Sequence, residues 1–335
     1  MIEIANRLIG NNNEVFIIAE AGSNFGGDLG QAKELIDVAV EAGADAVKFQ
    51  SYDGDSLVNK SDSAYEILNK YSLPKEWHFK LKDYCEQQGI IFCSSPFDEE
   101  KVEWLDEVDV SFYKVASGDL TYLPFIKKIA KKGKPIVLST GMSTLGEVEE
   151  AVNTILENGN DQIILLHCVG KYPTEVKEVN LSVLNTLHQA FNLPVGFSDH
   201  TESTVIPAYA VSMGAKVIEK HFTLDRDLDT PDHSFALKPK ELQEMVKNIR
   251  TAEDVKGTSI KRPTQSEKET SRISARRSIH AKSDIKSGEI ITKEKIKFIR
   301  PAKGLAPKMI NDILEKKAKN KIKAGEPIKL NNINW

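Results

Sequence analysis

A strand–helix unit recurs eight times from residue 15 onwards, and this repeat restricts the fold more than any other feature of the chain. Each predicted strand is a short, almost wholly apolar run, as expected for a parallel strand that is buried on both faces. Along the chain the predicted strands are Val15–Glu20, Ala46–Gln50, Ile90–Ser95, Phe112–Ser117, Pro135–Thr140, Gln162–Cys168, Pro194–Asp199 and Lys216–Phe222.

Amphipathic helical patterns lie between these strands, and several stop at a glycine, the usual residue just beyond a helix C-terminus. The clearest are Leu29–Ala42, Pro74–Gln88, Thr144–Asn158, Leu181–Phe191 and Pro239–Lys256. Eight such units within about 250 residues match a TIM barrel. A doubly wound sheet would also alternate, but no Gly-x-Gly-x-x-Gly follows the first strand. The sequence therefore predicts an α/β fold of the (β/α)8 TIM-barrel type.

The end of the chain differs from the repeat. Residues 258–275 are polar and aperiodic, which predicts a linker between a barrel domain of residues 1–257 and a unit of residues 276–335. Two copies of Ile-x-x-Gly-Glu-x-Ile in that unit predict turns that lead into short strands. Its net charge is +10, against −14 for the rest of the chain. A basic tail can bind nucleic acid, but two complementary surfaces of one assembly would show the same asymmetry.

Composition excludes several classes of protein. The chain is 40% hydrophobic and 28% charged, which is typical of a globular protein and not of a disordered or fibrous one. No apolar run approaches the roughly 20 residues that cross a bilayer, and the first residues lack the features of a signal peptide. The cysteines at 85, 93 and 168 match no zinc-binding spacing. We therefore expect a soluble cytoplasmic protein that does not enter a membrane.

Polar side chains gather at the C-terminal ends of the predicted strands, where TIM barrels carry their active sites. All eight strands contribute, through Glu20, Asn24, Lys48, Gln50, Ser94, Ser95, Lys114, Ser117, Ser139, Thr140, His167, Cys168, Lys171, Tyr172, Ser198, Asp199, His200, Glu219, Lys220 and His221. Taken singly, Lys48 could simply extend along a strand end and His221 could be a hydrogen-bonded core residue. The prediction of a functional site therefore depends on the combination.

The types of these residues narrow the chemistry. Two lysines and several serine hydroxyls offer charge and hydrogen-bond donors to a dense anion. His200 and His221, on adjacent predicted strands, could hold one divalent metal, with Mn²⁺, Mg²⁺ and Zn²⁺ all suited to such ligands. A metal that polarises a carbonyl beside a phosphate-bearing partner indicates carbon–carbon bond formation or phosphate release.

The phrases that carry these residues resemble the N-acetylneuraminate (sialic acid) synthase family. In family order they are IAEAGSN at 18–24, AVKFQ at 46–50, SSPFD at 94–98, YKVASG at 113–118, LSTGM at 138–142, HC at 167–168 with YP at 172–173, GFSDHT at 196–201, IEKHFT at 218–223 and PDH at 231–233. The basic C-terminal unit resembles an antifreeze-like (SAF) domain, including FIRP at 298–301. The resemblance spans essentially the whole chain and implies a barrel followed by a small β-rich SAF domain.

The resemblance also implies an activity. The family is a group of transferases that condense phosphoenolpyruvate with an N-acylated amino-hexose, typically N-acetylmannosamine, giving a nine-carbon keto sugar acid and phosphate. Matched motif by motif, phosphoenolpyruvate would be bound by Lys48, Ser95, Lys114, Ser117, Ser139 and Ser198. His200 and His221 would hold a divalent metal, Mn²⁺ first, with Mg²⁺ or Co²⁺ as alternatives. Glu20 would handle a proton or orient water beside the reacting atoms.

The sugar contacts come from the same resemblance. Gln50, Tyr172 and Asp232 would contact the open-chain sugar. Arg300 would reach its N-acyl group from the SAF domain of the neighbouring subunit, in a domain-swapped homodimer. Two departures from the family pattern leave the sugar open: Phe25-Gly26-Gly27 follows Asn24 where His-Asn-Gly is usual, and Gly170 stands where many members have asparagine. N-acetylmannosamine and the diacetamido-hexoses of legionaminic and pseudaminic acid synthases are both candidates, as is a role in spore-coat polysaccharide synthesis.

Two other functions are weighed against this one. A condensation with a sugar phosphate would need a second phosphate site, and Gln50, Tyr172 and Asp232 include no cluster for it. A non-catalytic barrel that binds carbohydrate or nucleic acid is the alternative from another class. The C-terminal unit has Phe298 as its only aromatic residue before Trp335, which is a poor stacking surface for single strands. We therefore expect an enzyme without a nucleic-acid partner.

Overall fold

Eight parallel strands form the centre of the larger of two units into which the chain divides. The computed structural model describes residues 2–10, 13–228 and 230–335. The first unit extends to Gly257 and the second begins at Thr258, and each has its own hydrophobic core. In the first unit a hairpin of β1 and β2 precedes the eight strands β3–β10. The bounds are β1 Ile2–Ile4, β2 Arg7–Ile9, β3 Phe16–Gly22, β4 Ala46–Ser51, β5 Ile91–Pro96, β6 Tyr113–Val115, β7 Ile136–Ser139, β8 Ile163–Cys168, β9 Val195–Asp199 and β10 Val217–His221.

The order of the strands shows a barrel. The sheet runs β5-β4-β3-β10-β9-β8-β7-β6, and β5 and β6 at its two ends lie side by side, so the sheet curls back on itself. Every predicted strand is present, with its ends within two residues of the prediction. The predicted TIM barrel is therefore confirmed. None of the helices in the described part of the chain is long and apolar enough to cross a membrane.

Helices follow every strand of the barrel. Their bounds are α1 Leu29–Ala42, α2 Gly54–Leu57, α3 Tyr65–Lys70, α4 Lys75–Gln88, α5 Glu99–Glu107, α6 Leu123–Ala130, α7 Leu145–Glu157, α8 Val183–Phe191, α9 Ile206–Ser212 and α10 Pro239–Lys256. Their ends have local causes. The Asp28 carboxylate accepts a hydrogen bond from the Gln31 amide at the start of α1, and Gly43, with φ of 80°, ends it in the left-handed region.

The N-terminal hairpin closes the bottom of the barrel. Ile2, Ile4 and Ile9 are buried in one cluster with apolar residues of the strands that point into the barrel, among them Phe16 and Val217. Its turn places Ala5 and Asn6 at φ of 47° and 66°. The lower interior of the barrel is therefore a packed apolar core, and any cavity must lie above it, at the C-terminal ends of the strands.

The second unit is built from short strands and one repeated turn. Its elements are α11 Gln265–Glu269, α12 Ser271–Ser274, β11 Ser278–Ala281, β12 Ile296–Ile299, α13 Ile310–Ile313, β13 Lys317–Ala318 and β14 Ile333–Asn334. The two short helices α11 and α12 lie in the stretch predicted as a linker. β11 pairs with β12 and β13 with β14, both antiparallel.

The two Ile-x-x-Gly-Glu-x-Ile phrases form equivalent turns. Gly288 and Gly325 have φ of 77° and 85°, and each following glutamate accepts a hydrogen bond from the amide three residues before it. Ile285 and Ile322, which open the two phrases, exchange backbone hydrogen bonds of 2.9 Å in both directions. The unit therefore contains the same turn twice, and the two copies pair with each other through Ile285 and Ile322.

Candidate active site

A cavity of about 550 Å³ opens at the C-terminal ends of the barrel strands. Its lining includes twelve of the predicted site residues, namely Glu20, Lys48, Gln50, Ser95, Lys114, Ser117, Ser139, Tyr172, Ser198, His200, His221 and Asp232. The barrel therefore brings together residues that lie up to 212 positions apart in the sequence. Arg300, the remaining one, is exposed and directly follows β12 in the second unit.

Alternation along the strands decides which side chains enter the cavity. Successive residues of a strand point to opposite faces, so the residues that face the barrel interior recur at every second position. In β10, Val217 packs in the lower interior core while Glu219 and His221 line the cavity above it. In β4, Ala46 packs below while Lys48 and Gln50 line the cavity.

The same alternation turns other polar residues away. Lys220 and Asp199 form a buried ion pair with each other, with 2.7 Å between Nζ and Oδ2. Nε2 of His167 lies 2.7 Å from the carbonyl oxygen of Val179. Ser94 and Thr140 likewise do not line the cavity. In the loops, Lys171 does not line it either, and Asn24 donates a hydrogen bond to the Phe222 carbonyl. The sequence-based expectation that all these polar residues share one active rim was too broad.

Two lysines and two glutamates form a buried charged cluster at the cavity floor. Lys48 Nζ lies 2.7 Å from Glu20 Oε2 and 3.7 Å from Glu219 Oε2, while Lys114 Nζ lies 3.7 Å from Glu219 Oε1. Each cluster member is at most 6% exposed. Two positive and two negative charges balance one another, which is the condition for burying them at all.

Hydroxyl groups surround this cluster. Lys48 donates to Ser95 Oγ over 3.1 Å, Lys114 donates to Ser139 Oγ over 2.7 Å, and Ser198 donates to Glu219 Oε1 over 2.8 Å. The lysines and hydroxyls therefore converge on one region of the floor. Together they offer the fixed donors that a phosphate or carboxylate group needs.

The protonation of the cluster follows from its burial and charges. Burial would lower the pKa of Lys48, but Glu20 and Glu219 outweigh it and raise that pKa. Burial lowers the pKa of Lys114, against the opposing charge of Glu219. Burial raises the pKa of Glu20 to about 7, although Lys48 opposes the shift. Glu20 can therefore gain or lose a proton near neutral pH, with Gln50 Nε2 donating to its Oε1 over 2.8 Å.

The two predicted metal ligands lie beside each other at the cavity wall. The ring centroids of His200 and His221 are 5.8 Å apart. His200 Nδ1 lies 2.7 Å from the carbonyl oxygen of Val169, which can only accept, so Nδ1 carries the proton and Nε2 keeps its lone pair. Burial lowers the pKa of both imidazoles, which keeps them neutral.

This pair fits a divalent metal. Nδ1 of His221 is buried without a hydrogen-bond partner in the described chain and lies 3.7 Å from Asp232 Oδ2. The Val169 carbonyl that fixes the tautomer of His200 is the usual support of a metal-ligating histidine. Among the described residues, no three His, Cys, Asp or Glu side chains are arranged to share a metal. The two imidazoles would thus need water or substrate oxygens to complete the coordination, as in catalytic sites that keep open positions.

The predicted sugar contacts form the outer wall of the cavity. The ring of Tyr172 lies 4.1 Å from that of His200 and 5.2 Å from that of Phe235, centroid to centroid. Burial raises the pKa of Asp232 to about 6. A Cβ on Gly22, which has φ of +54°, would come within 2.9 Å of Asp232 Oδ2, so glycine is required for this close approach.

The two departures from the family sequence pattern, at Phe25 and Gly170, lie in different parts of the barrel. Phe25 is fully buried and packs edge-on against Phe49 and Trp77, so it belongs to the core and does not line the cavity. Gly170 does line it, and a Cβ there would lie 2.7 Å from Cγ of Met142. The absence of a side chain at position 170 thus makes room for Met142 at the cavity edge.

Several lining residues were not among the predicted site residues. The sequence places Glu219 and Cys168 at strand ends without indicating a role for them, and Phe97, Met142, Gly170, Ser234 and Phe235 also line the cavity. Strand alternation is the signal that would have found the first two, because Glu219 lies two residues before His221 and Cys168 lies two after the interior Leu166. The others lie outside regular strands, where no periodicity indicates direction.

Comparison with known proteins identifies the family. The sequence model of the NeuB family matches residues 35–261, and that of the SAF domain matches residues 276–334. The chain belongs to the NeuB family. "Uncharacterized protein MJ1065" of Methanocaldococcus jannaschii is 46% identical to it over 319 residues, with 95% of this chain and 94% of that protein covered.

Two further NeuB relatives carry more informative names. The N,N'-diacetyllegionaminic acid synthase of Legionella pneumophila is 41% identical, with 94% of each chain covered. A crystal structure is known of an N-acetylneuraminic acid (sialic acid) synthetase from Leptospira borgpetersenii in complex with citrate. It superimposes on this chain with a TM-score of 0.77 and 36% sequence identity, and the match covers 80% of this chain and 94% of the synthetase chain. The predicted family, its SAF domain and the expectation of an enzyme are thereby confirmed.

Proposed function

We propose that this protein is a nonulosonic (sialic-type) acid synthase that condenses phosphoenolpyruvate with an N-acyl amino-hexose and releases phosphate. The convergence of Lys48, Lys114 and their hydroxyl partners on the floor of one cavity, next to the His200–His221 pair, carries the proposal. The floor suits an anion with phosphate and carboxylate groups, and the outer wall suits a sugar.

Phosphoenolpyruvate would lie on the cavity floor against Lys48, Ser95, Lys114, Ser117, Ser139 and Ser198. Carbon 3 of its enol attacks the sugar aldehyde and forms the new carbon–carbon bond, which leaves carbon 2 short of electrons. Water adds to carbon 2, and the carbon 2–oxygen bond then breaks so that phosphate leaves with that oxygen. Fixed lysines and hydroxyls favour this step, because the charge on phosphate rises as it departs.

Glu20 would manage the proton of the attacking water. With its pKa near 7, its carboxylate can accept that proton, and the acid form can return it to a developing alkoxide. His200 and His221 would hold the divalent metal, Mn²⁺ first, with Mg²⁺ or Co²⁺ as alternatives. When bound, the metal would polarise the sugar aldehyde. Gln50, Tyr172 and Asp232 would orient the sugar.

The sugar is N-acetylmannosamine or a diacetamido-hexose. The 41% identity to a diacetyllegionaminic acid synthase supports the second, and the structural neighbour named as a sialic acid synthetase supports the first. Arg300 would contact the N-acyl group in the site of the partner subunit of a domain-swapped homodimer. The enzyme would act in the cytoplasm, without nucleic acid or membrane as a partner.

The decisive experiment incubates the protein with phosphoenolpyruvate, Mn²⁺ and a panel of N-acyl hexosamines, and measures phosphate and keto acid. We expect both products in equal amounts with one class of sugar. Phosphoenolpyruvate carrying ¹⁸O in its bridging position should place the label in the released phosphate, because the carbon–oxygen bond is cleaved. Phosphate release that needs no sugar, or turnover of no sugar in the panel, would contradict the proposal.

Matched variants connect this assay to the cavity. Lys48→Met and Lys114→Met should each lower kcat/KM by at least about a hundredfold, since each removes a fixed charge from the departing phosphate. Lys128→Met removes a surface lysine that pairs with Glu99 and Glu103, and it should leave turnover unchanged. Equal activity in all three variants would remove the floor lysines from the site.

A further inference from the structure

Two groups outside the predicted site hold Ser117, one of the predicted phosphate-binding hydroxyls. The amide of Gly141 donates a hydrogen bond to Ser117 Oγ over 3.0 Å, and Sγ of Cys168 lies 3.0 Å from the same oxygen. Ser117 and Cys168 both line the cavity. The three residues follow or end β6, β7 and β8, which are neighbours in the barrel, so the fold itself assembles them.

The fit around Ser117 leaves no spare room. A Cβ on Gly141 would lie 2.9 Å from Cys168 Sγ and 2.9 Å from Ser117 Oγ. Only glycine therefore lets the amide at 141 approach a hydroxyl and a thiol at once. Cys168 is buried, at 4% exposed, although it lines the cavity.

The hydrogen-bond inventory of Ser117 then determines where its proton goes. A serine hydroxyl has one proton to donate and two lone pairs that accept. The Gly141 amide uses one lone pair. Sulfur is a weak acceptor whereas a phosphate oxygen is a strong one, so an anion in the cavity draws the Ser117 proton. Burial raises the pKa of the Cys168 thiol, which keeps its S–H available for the second lone pair.

We propose that Cys168 is a positioning residue for phosphoenolpyruvate binding: its S–H and the Gly141 N–H fill both acceptor sites of Ser117 Oγ, so that the hydroxyl proton points to the substrate phosphate. Cys168 does not contact the reacting atoms in this role and acts only through Ser117. The inference rests on the proposed function for the identity of the substrate. The anion-binding part can be measured separately.

The test compares variants at position 168 with variants at position 117. Cys168→Ala removes the donor, Cys168→Val removes it while filling the volume, and Cys168→Ser restores a donor. We expect the first two to raise the KM for phosphoenolpyruvate about three- to tenfold, the loss of one hydrogen bond, with little change in kcat. Cys168→Ser should stay within about twofold of the wild type.

A double-mutant cycle separates positioning from packing. Because Cys168 acts through Ser117, the Ser117→Ala/Cys168→Ala variant should have the KM of Ser117→Ala alone. Cys85→Ala, which deletes another buried thiol, in α4, should leave that KM unchanged. Multiplying effects in the double variant, no rescue by serine, or an unchanged KM in both Cys168→Ala and Cys168→Val would overturn the proposal.

Binding of inorganic phosphate, measured by titration calorimetry, keeps this inference distinct from the proposed function. Weaker phosphate binding in Cys168→Ala and Cys168→Val, restored in Cys168→Ser, supports the role of the thiol even when no sugar is turned over. Equal phosphate affinity in all the variants overturns the inference and leaves the proposed function standing. Failure of the wild type to bind phosphate at all overturns the inference, and the turnover assay decides the proposed function separately.

Discussion

Glu219 controls the charge balance of the cavity floor, because its carboxylate lies 3.7 Å from the ammonium group of each buried lysine, Lys48 and Lys114. Lys114 and Lys48 lower its pKa in spite of its burial, so it stays ionised. Without its charge, Glu20 would be the remaining carboxylate that forms an ion pair with a floor lysine, through Lys48, among the residues that the structure describes. A bound phosphate or carboxylate would supply the missing negative charge.

This position makes Glu219→Gln informative. We expect the free energy of unfolding to fall by about 3 kcal/mol without ligand, since a buried ion pair loses one partner. Added phosphate should recover more stability in the variant than in the wild type, because the anion replaces the lost charge. Urea unfolding with and without phosphate measures both effects.

The control is another glutamate between two lysines. Glu103 lies 3.2 Å from Lys128 and 2.8 Å from Lys132, but it is 46% exposed. Glu103→Gln should therefore cost less than about 1 kcal/mol and show no response to phosphate beyond that of the wild type. If the two variants behaved alike, the buried cluster would not be the anion site.

His78 in α4 connects this helix to β4, and its burial makes the free energy of unfolding depend on pH. Its Nε2 lies 2.6 Å from Ser51 Oγ at the end of β4, and the ring is fully buried between helix and barrel. Burial lowers its pKa to about 4. An unfolded histidine titrates near 6.5, so the unfolded chain binds the extra proton first as the pH falls.

The sign of the effect follows directly. The contribution of neutral His78 is complete above pH 6.5, and about 3 kcal/mol of it is lost between pH 7 and pH 4. We expect His78→Gln to remove that part of the pH dependence, measured as the difference in unfolding free energy between the two pH values. His188→Gln alters an exposed histidine and should keep the wild-type slope. Parallel slopes in all three proteins would contradict the assignment.

The N-terminal hairpin shows how an element can escape prediction and still matter. Its strands have three residues each, and its turn is Ala5-Asn6, a weaker signal than Asn-Gly or Asp-Gly. The hairpin acquires its role only from the barrel interior, which a local pattern does not reveal. Ile4 is fully buried there, whereas Leu8 of the same hairpin is 44% exposed.

Two variants of the hairpin test this role. Ile4→Ala should lower the free energy of unfolding by about 3 kcal/mol, because it leaves a cavity in the closed end of the barrel. Leu8→Ala should change it by less than about 0.5 kcal/mol. Chemical denaturation of the two variants provides the comparison, and a similar cost for both would mean that the hairpin does not close the barrel.

The periodicity of the strands explains how much of the site could be predicted from the sequence. The barrel was predictable because eight apolar runs and their helices repeat, and the residues of the site were predictable because polar groups end those runs. The direction in which each polar side chain points was the part that was not predicted. Lys220 and His221 are neighbours, yet the first pairs with Asp199 while the second lines the cavity. Loop residues such as Met142 and Phe235 have no period, so only the folded chain places them.

At the scale of the molecule, the chain joins an acidic barrel to a basic SAF domain. Residues 276–335 carry a net charge of +10 and the preceding residues −14. Each unit has its own core, and the lysines of the SAF domain are largely exposed. Opposite charges favour association of such surfaces, and salt weakens it. This asymmetry supports the proposed pairing of one barrel with the SAF domain of a partner subunit.

Mixing two inactive variants tests that pairing. The Lys114→Met variant has an inactive barrel but keeps Arg300. The Arg300→Ala variant lacks Arg300 but keeps an intact barrel. In a domain-swapped heterodimer one site combines the intact barrel of the second variant with the intact Arg300 of the first, so activity returns. Random reassortment should restore about a quarter of wild-type turnover at low sugar, because half of the dimers are mixed and each has one good site. Mixed dimers, verified by two different tags, that stay inactive would show that Arg300 serves its own barrel or none.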